Sequence, residues 1–150
     1  MKKNDILIKV LSLAFFARRN GLKIAVAESC TSGLLASLLS SLAGSSAWFD
    51  FGIVCYSNFS KKTLLSVDLN SVEFHGSVSK IVASQMLAGL ERIPPEKKNK
   101  SYLLSSITGI AGPTGGSEEK PRGLVWFGFQ SYGEISCKKS IFSGSRKEIR

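Results

Sequence analysis

The sequence predicts a single three-layer α/β/α domain, residues 1–150, built around a mixed and mostly parallel sheet. Short apolar segments that suit buried strands alternate with longer segments whose apolar residues recur at helical spacing. Two late strand-like segments are separated by Tyr132 and Gly133, a pattern typical of a hairpin. A chain of 150 residues that is 43% hydrophobic can bury a core of ordinary size. No internal repeat interrupts this organisation.

The first segment is predicted to be an amphipathic helix that ends at Arg18–Gly21. Its inner face would comprise Ile6, Val10, Leu13, Ala14 and Ala17. Lys2 and Lys3 before an apolar run resemble a signal peptide, but Lys9 interrupts that run. We therefore expect neither a signal peptide nor a membrane partner, because no other apolar run is long enough to span a bilayer.

The elements of the first half follow from apolar periodicity and from helix caps. The prediction is a strand over 23–27, a helix over 29–42 with leucines along one side, a strand over 51–57, a helix over 59–67 and an irregular segment over 68–76. Asn58 is the expected N-cap of the helix over 59–67, and Gly44 is the expected stop of the helix before it. The serines that follow Gly44 then lie in a loop.

The second half continues the alternation of helix and strand. Ser77 or Ser79 is expected to cap a helix that runs to Ile93, where two prolines stop it. After a charged surface loop over 96–100, strands are predicted over 102–108, 123–130 and 134–142, and a helix start over 146–150.

Charge and cysteine content narrow the classes of function. The net charge of +9 would suit a nucleic-acid surface, but the basic residues are scattered and no binding motif accompanies them. A solvated basic surface is therefore the preferred interpretation, and a nucleic-acid partner is not expected. Three dispersed cysteines without CxxC spacing predict neither disulfides nor a metal site, and they fit a reducing, cytoplasmic location.

The stretch from Gly44 to Lys61 concentrates residues that could hydrolyse a substrate. Ser45 and Ser46 enter the apolar segment, whereas Tyr56 and Lys61 leave it. Because a usable histidine is lacking, the nucleophile would be a serine whose proton passes to a neutral lysine or to a tyrosinate. Lysine ordinarily titrates near ~10.4, so such a base must be desolvated or lie near another cation. The residue types alone do not decide between Ser45 and Ser46.

Two further stretches are candidates for binding an anion. The predicted helix start at Ser29–Gly33 would present free N–H groups to a phosphate, although simple capping by Ser29 or Thr31 explains the pattern equally well. Four glycines within Gly109–Gly116 would let the backbone approach a ligand, although a long turn is the default interpretation.

Five blocks of the sequence, in order, closely resemble the CinA C-terminal domain family, the nicotinamide-nucleotide amidases or NMN deamidases. The blocks are Ala27–Gly33, Gly44–Asp50, Tyr56–Asn58 with Lys61, His75-Gly76 with Val78-Ser79, and Thr108–Gly116. The resemblance extends from about residue 5 over nearly the whole chain. It implies hydrolysis of the carboxamide of nicotinamide mononucleotide (NMN) to nicotinate mononucleotide and ammonia, in bacterial pyridine-nucleotide recycling, without a metal or organic cofactor.

The resemblance also assigns roles to residues. It implies Ser46 as nucleophile, Lys61 as base and Tyr56 as a proton-relay or orienting partner. The small-molecule substrate, a pyridine mononucleotide, would be bound by Ser29, Thr31, Ser32, Gly33, Ser45, Thr108, Gly109, Gly112, Gly115, Gly116 and Arg146. A cationic surrounding would both hold its phosphate and lower the pKa of the lysine.

Departures from the family pattern motivate a second hypothesis. Phe51 stands where the family usually has arginine, and Ser32 where it usually has glycine. The sequence also ends at Arg150, ahead of a final helix that family members usually carry. The alternative function is a catalytically silent module that binds nucleotide or nucleic acid. A homo-oligomer, perhaps a dimer, is expected because a missing helix would leave apolar surface to cover.

Overall fold

The structure is a computed structural model that describes residues 3–94 and 101–150. The helices and strands are α1 (Lys3–Arg19), β1 (Leu22–Glu28), α2 (Leu34–Ser40), β2 (Phe49–Val54), α3 (Asn58–Leu65), α4 (Leu69–His75), α5 (Lys80–Glu91), β3 (Ser101–Gly109), β4 (Leu124–Ser131), β5 (Glu134–Ile141) and α6 (Arg146–Ile149). One 3₁₀ turn covers Ser45–Ala47 before β2. The alternation predicted from the sequence is confirmed.

The strands form one five-stranded sheet in the order β2-β1-β3-β4-β5. β1 pairs in parallel with β2 and β3, whereas β4 is antiparallel to both β3 and β5. Four of the five strands therefore run in the same direction, which confirms a mixed, mostly parallel sheet. Their carboxyl ends lie along one edge of the sheet, which we call the carboxyl edge.

Helices cover both faces of the sheet because β1 buries alternate residues on opposite sides. Ile24 and Val26 pack with residues of α1 and α2, including Ala14 and Leu39. On the other face, Ala25 and Ala27 pack with residues of α3, α4 and α5, which are Leu65, Val72, Val82, Met86, Leu87 and Leu90. The three-layer α/β/α prediction is confirmed.

Two helix starts differ from their predicted positions. α2 begins at Leu34 rather than at residue 29, because Ser32 (φ 49°) and Gly33 (φ 90°) adopt left-handed backbone that no helix continues. α3 is capped by Ser57 instead of Asn58: Ser57 Oγ accepts from Ser60 N at 3.0 Å, and Ser60 Oγ accepts from Ser57 N at 3.1 Å.

The prediction of an irregular segment over 68–76 is wrong. Asp68 caps α4 by accepting from the N–H groups of Asn70 and Ser71. α4 has seven residues and one buried side chain, Val72, which is too little periodicity for the sequence to reveal. Ser79, one of the two predicted caps, caps α5. The predicted loop over 96–100 lies outside the described residues.

None of the helices within residues 3–94 and 101–150 combines the length and the apolar content that crossing a membrane would require.

Candidate active site

Loops from four strands meet at the carboxyl edge. Residues 29–33 follow β1, residues 55–57 follow β2, residues 110–123 follow β3, and α6 follows β5. Open α/β sheets place ligands outside the carboxyl ends of their strands, because the connecting loops converge there. The carboxyl edge is therefore the expected position of a ligand site.

A lysine and a serine contact each other at this edge. Lys61 lies in the first turn of α3, yet it is only 2% exposed. Its Nζ donates to Ser29 Oγ at 3.1 Å and to the carbonyl oxygen of Tyr56 at 3.1 Å. Ser29 is also buried. β1 and β2 are parallel neighbours, so the residues that follow them are brought side by side.

Burial alters the protonation of this pair. Loss of water around Lys61 lowers the pKa of its ammonium group below the ordinary value. The neighbouring thiols of Cys30 and Cys55 oppose this shift only when ionised, and burial raises the pKa of both thiols. Both thiols are therefore neutral near pH 7, and desolvation dominates. A neutral lysine amine can accept a proton from a serine hydroxyl.

The buried carboxylate of Glu28 shapes the turn that carries Ser29. Glu28 Oε2 accepts from the N–H groups of Gly33 at 3.0 Å and Leu35 at 3.1 Å, and Oε1 accepts from Ala36 N at 2.7 Å. A carboxylate is favoured at this position by the positive end of the helix dipole. Glu28 thus ties the end of β1 to the start of α2 and holds the intervening turn.

The predicted phosphate site at Ser29–Gly33 stays a prediction, but this arrangement limits it. Of these residues, Gly33 donates its N–H group to Glu28, Ser29 donates to the carbonyl oxygen of Ile107, and Ser32 donates to that of Ser29. A second anion at this position would be repelled by the carboxylate. Ser29, Thr31, Ser32 and Gly33 do lie at the carboxyl edge, but in a turn and not as a helical anion cradle.

The predicted pairing of Ser46 with Lys61 also needs correction. Ser45 and Ser46 precede β2, and the carbonyl oxygen of Ser46 accepts from Nζ of Lys23, near the beginning of β1. Lys61 follows β2 at its other end. The six residues of β2 separate the two ends by about 17 Å at the usual rise per residue. The structure therefore brings Ser29, and not Ser45 or Ser46, to Lys61.

Tyr56 and Arg146 lie together beside this pair. Arg146 Nη2 donates to Tyr56 Oη and Arg146 Nη1 donates to the carbonyl oxygen of Gly112, both at 2.7 Å. Arg150 Nη2 donates to the carbonyl oxygen of Thr31 at 3.2 Å. The two arginines thereby connect α6 to the other three loops.

Two polar atoms in this region are buried without a hydrogen-bond partner, Thr31 Oγ1 and Arg150 Nε. Both residues belong to the same contact, and both atoms can donate a hydrogen bond. A polar ligand with acceptor oxygens would satisfy them.

The remaining predicted binding residues lie in or beside the loop over 110–123. Thr108 donates to the carbonyl oxygen of Ser77 at 2.8 Å and so connects β3 to the segment before α5. Gly109 has no room for a side chain, because a Cβ atom would lie 2.9 Å from Cys30 Sγ. Gly115 and Gly116 have left-handed backbone in the same loop.

Phe51 does not lie at the carboxyl edge. It is in the middle of β2 and packs against the core cluster that contains Leu65 and Met86. Its place in the family pattern therefore concerns packing on the sheet and not the Ser29–Lys61 pair.

Three features of the site were not assigned from the sequence: the contact of Ser29 with Lys61, the capping carboxylate of Glu28 and the contact of Arg150 with Thr31. A usable signal did exist for the first. Ser29 and Lys61 each follow a predicted strand, and parallel neighbouring strands bring such residues to one edge.

No group of three or more histidine, cysteine, aspartate or glutamate side chains within residues 3–94 and 101–150 is arranged to hold a metal ion.

The fold and the site define a class of protein, an α/β domain with a buried serine–lysine pair at the carboxyl edge of its sheet. Residues 9–150 match the CinA C-terminal domain family, and the chain belongs to it. The predicted family membership is confirmed.

Two named relatives are similar to this chain over most of its length. The chain is 43% identical to the nicotinamide-nucleotide amidohydrolase PncC of Enterobacter agglomerans over 134 residues, which cover 89% of this chain and 79% of that protein. It is 40% identical over 97% of its length to a putative competence-damage inducible protein of Thermoanaerobacter sp. strain X514. It spans only about a third of that longer relative, 33% of its length.

A solved structure agrees with the fold. The competence/damage inducible protein CihA from Agrobacterium tumefaciens is 35% identical and superimposes with a TM-score of 0.89, over 97% of this chain and 86% of that chain.

Proposed function

We propose that this protein hydrolyses the carboxamide of NMN to nicotinate mononucleotide and ammonia, with Ser29 as nucleophile and Lys61 as base. The observation that carries the proposal is the 3.1 Å contact between Ser29 Oγ and the buried Nζ of Lys61. The name of the Enterobacter agglomerans relative, a nicotinamide-nucleotide amidohydrolase, supports the reaction.

The proposed reaction proceeds through an ester on Ser29. Neutral Lys61 accepts the hydroxyl proton while Ser29 Oγ attacks the carboxamide carbon. The C–N bond then breaks, and the leaving nitrogen takes the proton from Lys61 and departs as ammonia. Water, deprotonated by the same amine, attacks the ester, and Ser29 Oγ leaves with the proton that Lys61 returns. The carboxylic acid then loses its proton to the released ammonia, so the products are the carboxylate and ammonium. Atoms and charges balance with water as the only co-reactant, so the proposal requires no cofactor.

The arginines supply the proposed contacts to the substrate phosphate. Arg146 and Arg150 are cations at the carboxyl edge, and Arg150 Nε and Thr31 Oγ1 still lack partners. Guanidinium groups suit phosphate oxygens because their N–H groups form a planar fork. Tyr56 accepts from Arg146, so its proposed role is to orient that arginine. Its exposed ring could also cover the substrate.

The reaction is proposed to take place in the cytoplasm. All three cysteines are free thiols, and two of them, Cys30 and Cys55, are buried close to the proposed base. Free thiols suit a reducing compartment.

The proposal is tested by acid-quenching the protein during turnover of NMN and locating the acyl group by mass spectrometry. Chymotrypsin cuts within the leucine-rich segment between Ser29 and Ser46, so the two candidate serines fall on different peptides. We expect ammonia release together with a nicotinate mononucleotide adduct on the Ser29 peptide. An adduct on Ser46 would contradict the site, and calorimetric binding of NMN without turnover would favour the silent module.

The pH dependence of the reaction follows from the lowered pKa of Lys61. Only the neutral amine acts as base, so kcat/KM should rise with pH as the ammonium form loses its proton. Because burial favours the neutral form, the rise should level off below the ordinary lysine value of about 10.4. Initial rates of ammonia release between pH 6 and 10.5 provide the measurement. A rate that keeps rising up to the ordinary value would show that Lys61 is not a desolvated base.

A further inference from the structure

A cavity lies at the edge of the sheet opposite the carboxyl edge. It has a volume of about 210 Å³ and lies where Glu91, the last residue of α5, meets the start of β3 and the turn between β4 and β5. β3 runs for nine residues from Ser101 at this cavity to Gly109 near the carboxyl edge, about 26 Å at the usual rise per residue. The cavity, which we call the amino-edge cavity, is therefore separate from the serine–lysine pair.

A buried amide without a partner lines the amino-edge cavity. Gln130, in β4, is only 6% exposed, and its side-chain oxygen Oε1 has no hydrogen-bond partner among residues 3–94 and 101–150. Burying an amide without a hydrogen bond costs free energy, because its contacts with water are lost and not replaced. Buried polar groups are therefore normally paired, and this one calls for a partner from outside the chain.

Tyr132 lines the same cavity at a cost to the backbone. It forms the turn between β4 and β5 with Gly133, and the two residues have φ angles of 50° and 83°. Glycine, asparagine or aspartate normally takes such positions, because a left-handed backbone brings Cβ close to the following carbonyl oxygen. The Tyr132 ring nonetheless lines the amino-edge cavity while 70% exposed. Such a ring offers a flat apolar surface on which a ligand can stack.

A second tyrosine of the amino-edge cavity is fixed in position. Tyr102 Oη donates to Asp50 Oδ2 at 2.6 Å. Burial, together with the neighbouring Asp50 carboxylate, raises the pKa of Tyr102 to about 12, so the hydroxyl keeps its proton and the hydrogen bond at neutral pH. The cavity thus combines one fixed aromatic ring, one exposed aromatic ring and one unpaired amide.

Size and charge define the ligand that the amino-edge cavity fits. Its volume of about 210 Å³ is the room of about seven waters, and sites for larger ligands usually enclose about 300–1,000 Å³. A single ring fits this space, whereas a whole mononucleotide does not. Glu91 is the only charged residue among the described residues that line the cavity, so an anion is disfavoured.

We propose that the amino-edge cavity binds a small planar ring that carries a neutral carboxamide. The ring stacks on Tyr132 and Tyr102, and the carboxamide pairs with the amide of Gln130. Both groups donate and accept, so they form a reciprocal pair of hydrogen bonds. Either end of the Gln130 amide can face the ligand, because a half-turn about its last bond exchanges oxygen and nitrogen. This binding is independent of the proposed reaction, since Ser29 and Lys61 lie at the other edge.

Titration of the isotope-labelled full chain with nicotinamide, followed by NMR, tests the proposal. Nicotinamide is a single ring with a carboxamide, and nicotinate is the matched control because it carries a carboxylate on the same ring. We expect saturable shifts of the backbone N–H signals of Tyr132 and Gly133 and of the side-chain amide of Gln130, with a Kd on the order of 1 mM. Nicotinate should bind at least about tenfold more weakly, because its charge is repelled by Glu91.

Two variants separate a binding role from a structural one. Gln130→Leu should weaken nicotinamide binding by at least about fivefold, yet its melting temperature should not fall, because the amide that it removes is unpaired. Tyr132→Asn should weaken binding by about threefold or more and should be at least as stable as the wild type, because asparagine suits the left-handed turn. Phe74→Ala removes an exposed ring from α4 and should bind like the wild type.

Several results would overturn the proposal. One is the lack of any saturable shift around Gln130 at concentrations up to about 20 mM nicotinamide. Others are shifts confined to the residues around Ser29 and Lys61, or equal affinity for nicotinate. Wild-type affinity in Gln130→Leu together with a lower melting temperature would assign the amide a purely structural role. Ammonia release from NMN should stay unchanged in all three variants, because none of them alters the carboxyl edge.

Discussion

Replacing Ser29 with alanine is expected to lower the rate of ammonia release from NMN by at least about 10³-fold, because the proposed ester can no longer form. Folding should be little affected, since among residues 3–94 and 101–150 the only side-chain hydrogen bond of Ser29 is the one that Lys61 donates. Lys61→Met should cause a comparable loss of roughly 10²–10⁴-fold by removing the base while keeping the packing of the stem. Both losses should appear in kcat.

The matched controls separate this site from the one expected from the sequence. Ser46→Ala should retain nearly full activity, because Ser46 lies at the far end of β2 beside Lys23. Lys62→Met changes an exposed lysine next to Lys61 and should also be neutral. Full activity in Ser29→Ala together with loss in Ser46→Ala would restore the original assignment.

Replacing Glu28 with alanine is expected to lower the free energy of unfolding by about 3–5 kcal/mol, the largest stability effect we predict. The substitution leaves the N–H groups of Gly33, Leu35 and Ala36 without their acceptor in a part-buried turn. For a chain of this size the melting temperature should fall by roughly 6–15 °C. Activity should fall as well, since Ser29 begins the turn that Glu28 holds.

Two further variants show whether the carboxylate of Glu28 is responsible for the predicted loss of stability. Glu28→Gln keeps the shape of the side chain and one acceptor oxygen. Its free energy of unfolding should therefore lie between those of the wild type and of Glu28→Ala. Glu119→Ala removes an exposed glutamate and should change stability by less than about 0.5 kcal/mol. Urea unfolding followed by circular dichroism measures the free energy of unfolding of all three variants. A Glu28→Ala protein as stable as Glu119→Ala would contradict the capping role.

Most of the fold was predictable because apolar periodicity records which face of each segment is buried. The strand over 23–27 and the helix ending at Arg18–Gly21 show this pattern, and both are found where they were expected. α4 was missed because a two-turn helix with one buried residue has almost no periodicity. The start of α2 was predicted too early, because the residue type of Ser32 does not reveal that its backbone is left-handed.

The site was predicted only in part, and the reason differs from the one that applies to the helices. A desolvated lysine, a serine and a tyrosine were expected, and Lys61 is buried and contacts a serine, Ser29. The partner of Lys61 was not predicted, because the nucleophile was sought within Gly44–Lys61, and the resemblance was carried over to Ser46 in that stretch. Distance along a chain says little about contact once a strand separates two residues, since an extended strand moves its ends far apart.

The sequence by itself determined the layers of this protein, its family and the set of residues from which a site could be built. Burial patterns and local motifs are properties of neighbouring residues, so they can be read without a fold. Only the tertiary structure decided which serine contacts Lys61, and only the tertiary structure showed that Glu28 accepts from N–H groups at the start of α2. Those facts depend on the parallel register of β1 and β2, which is a contact between distant parts of the chain.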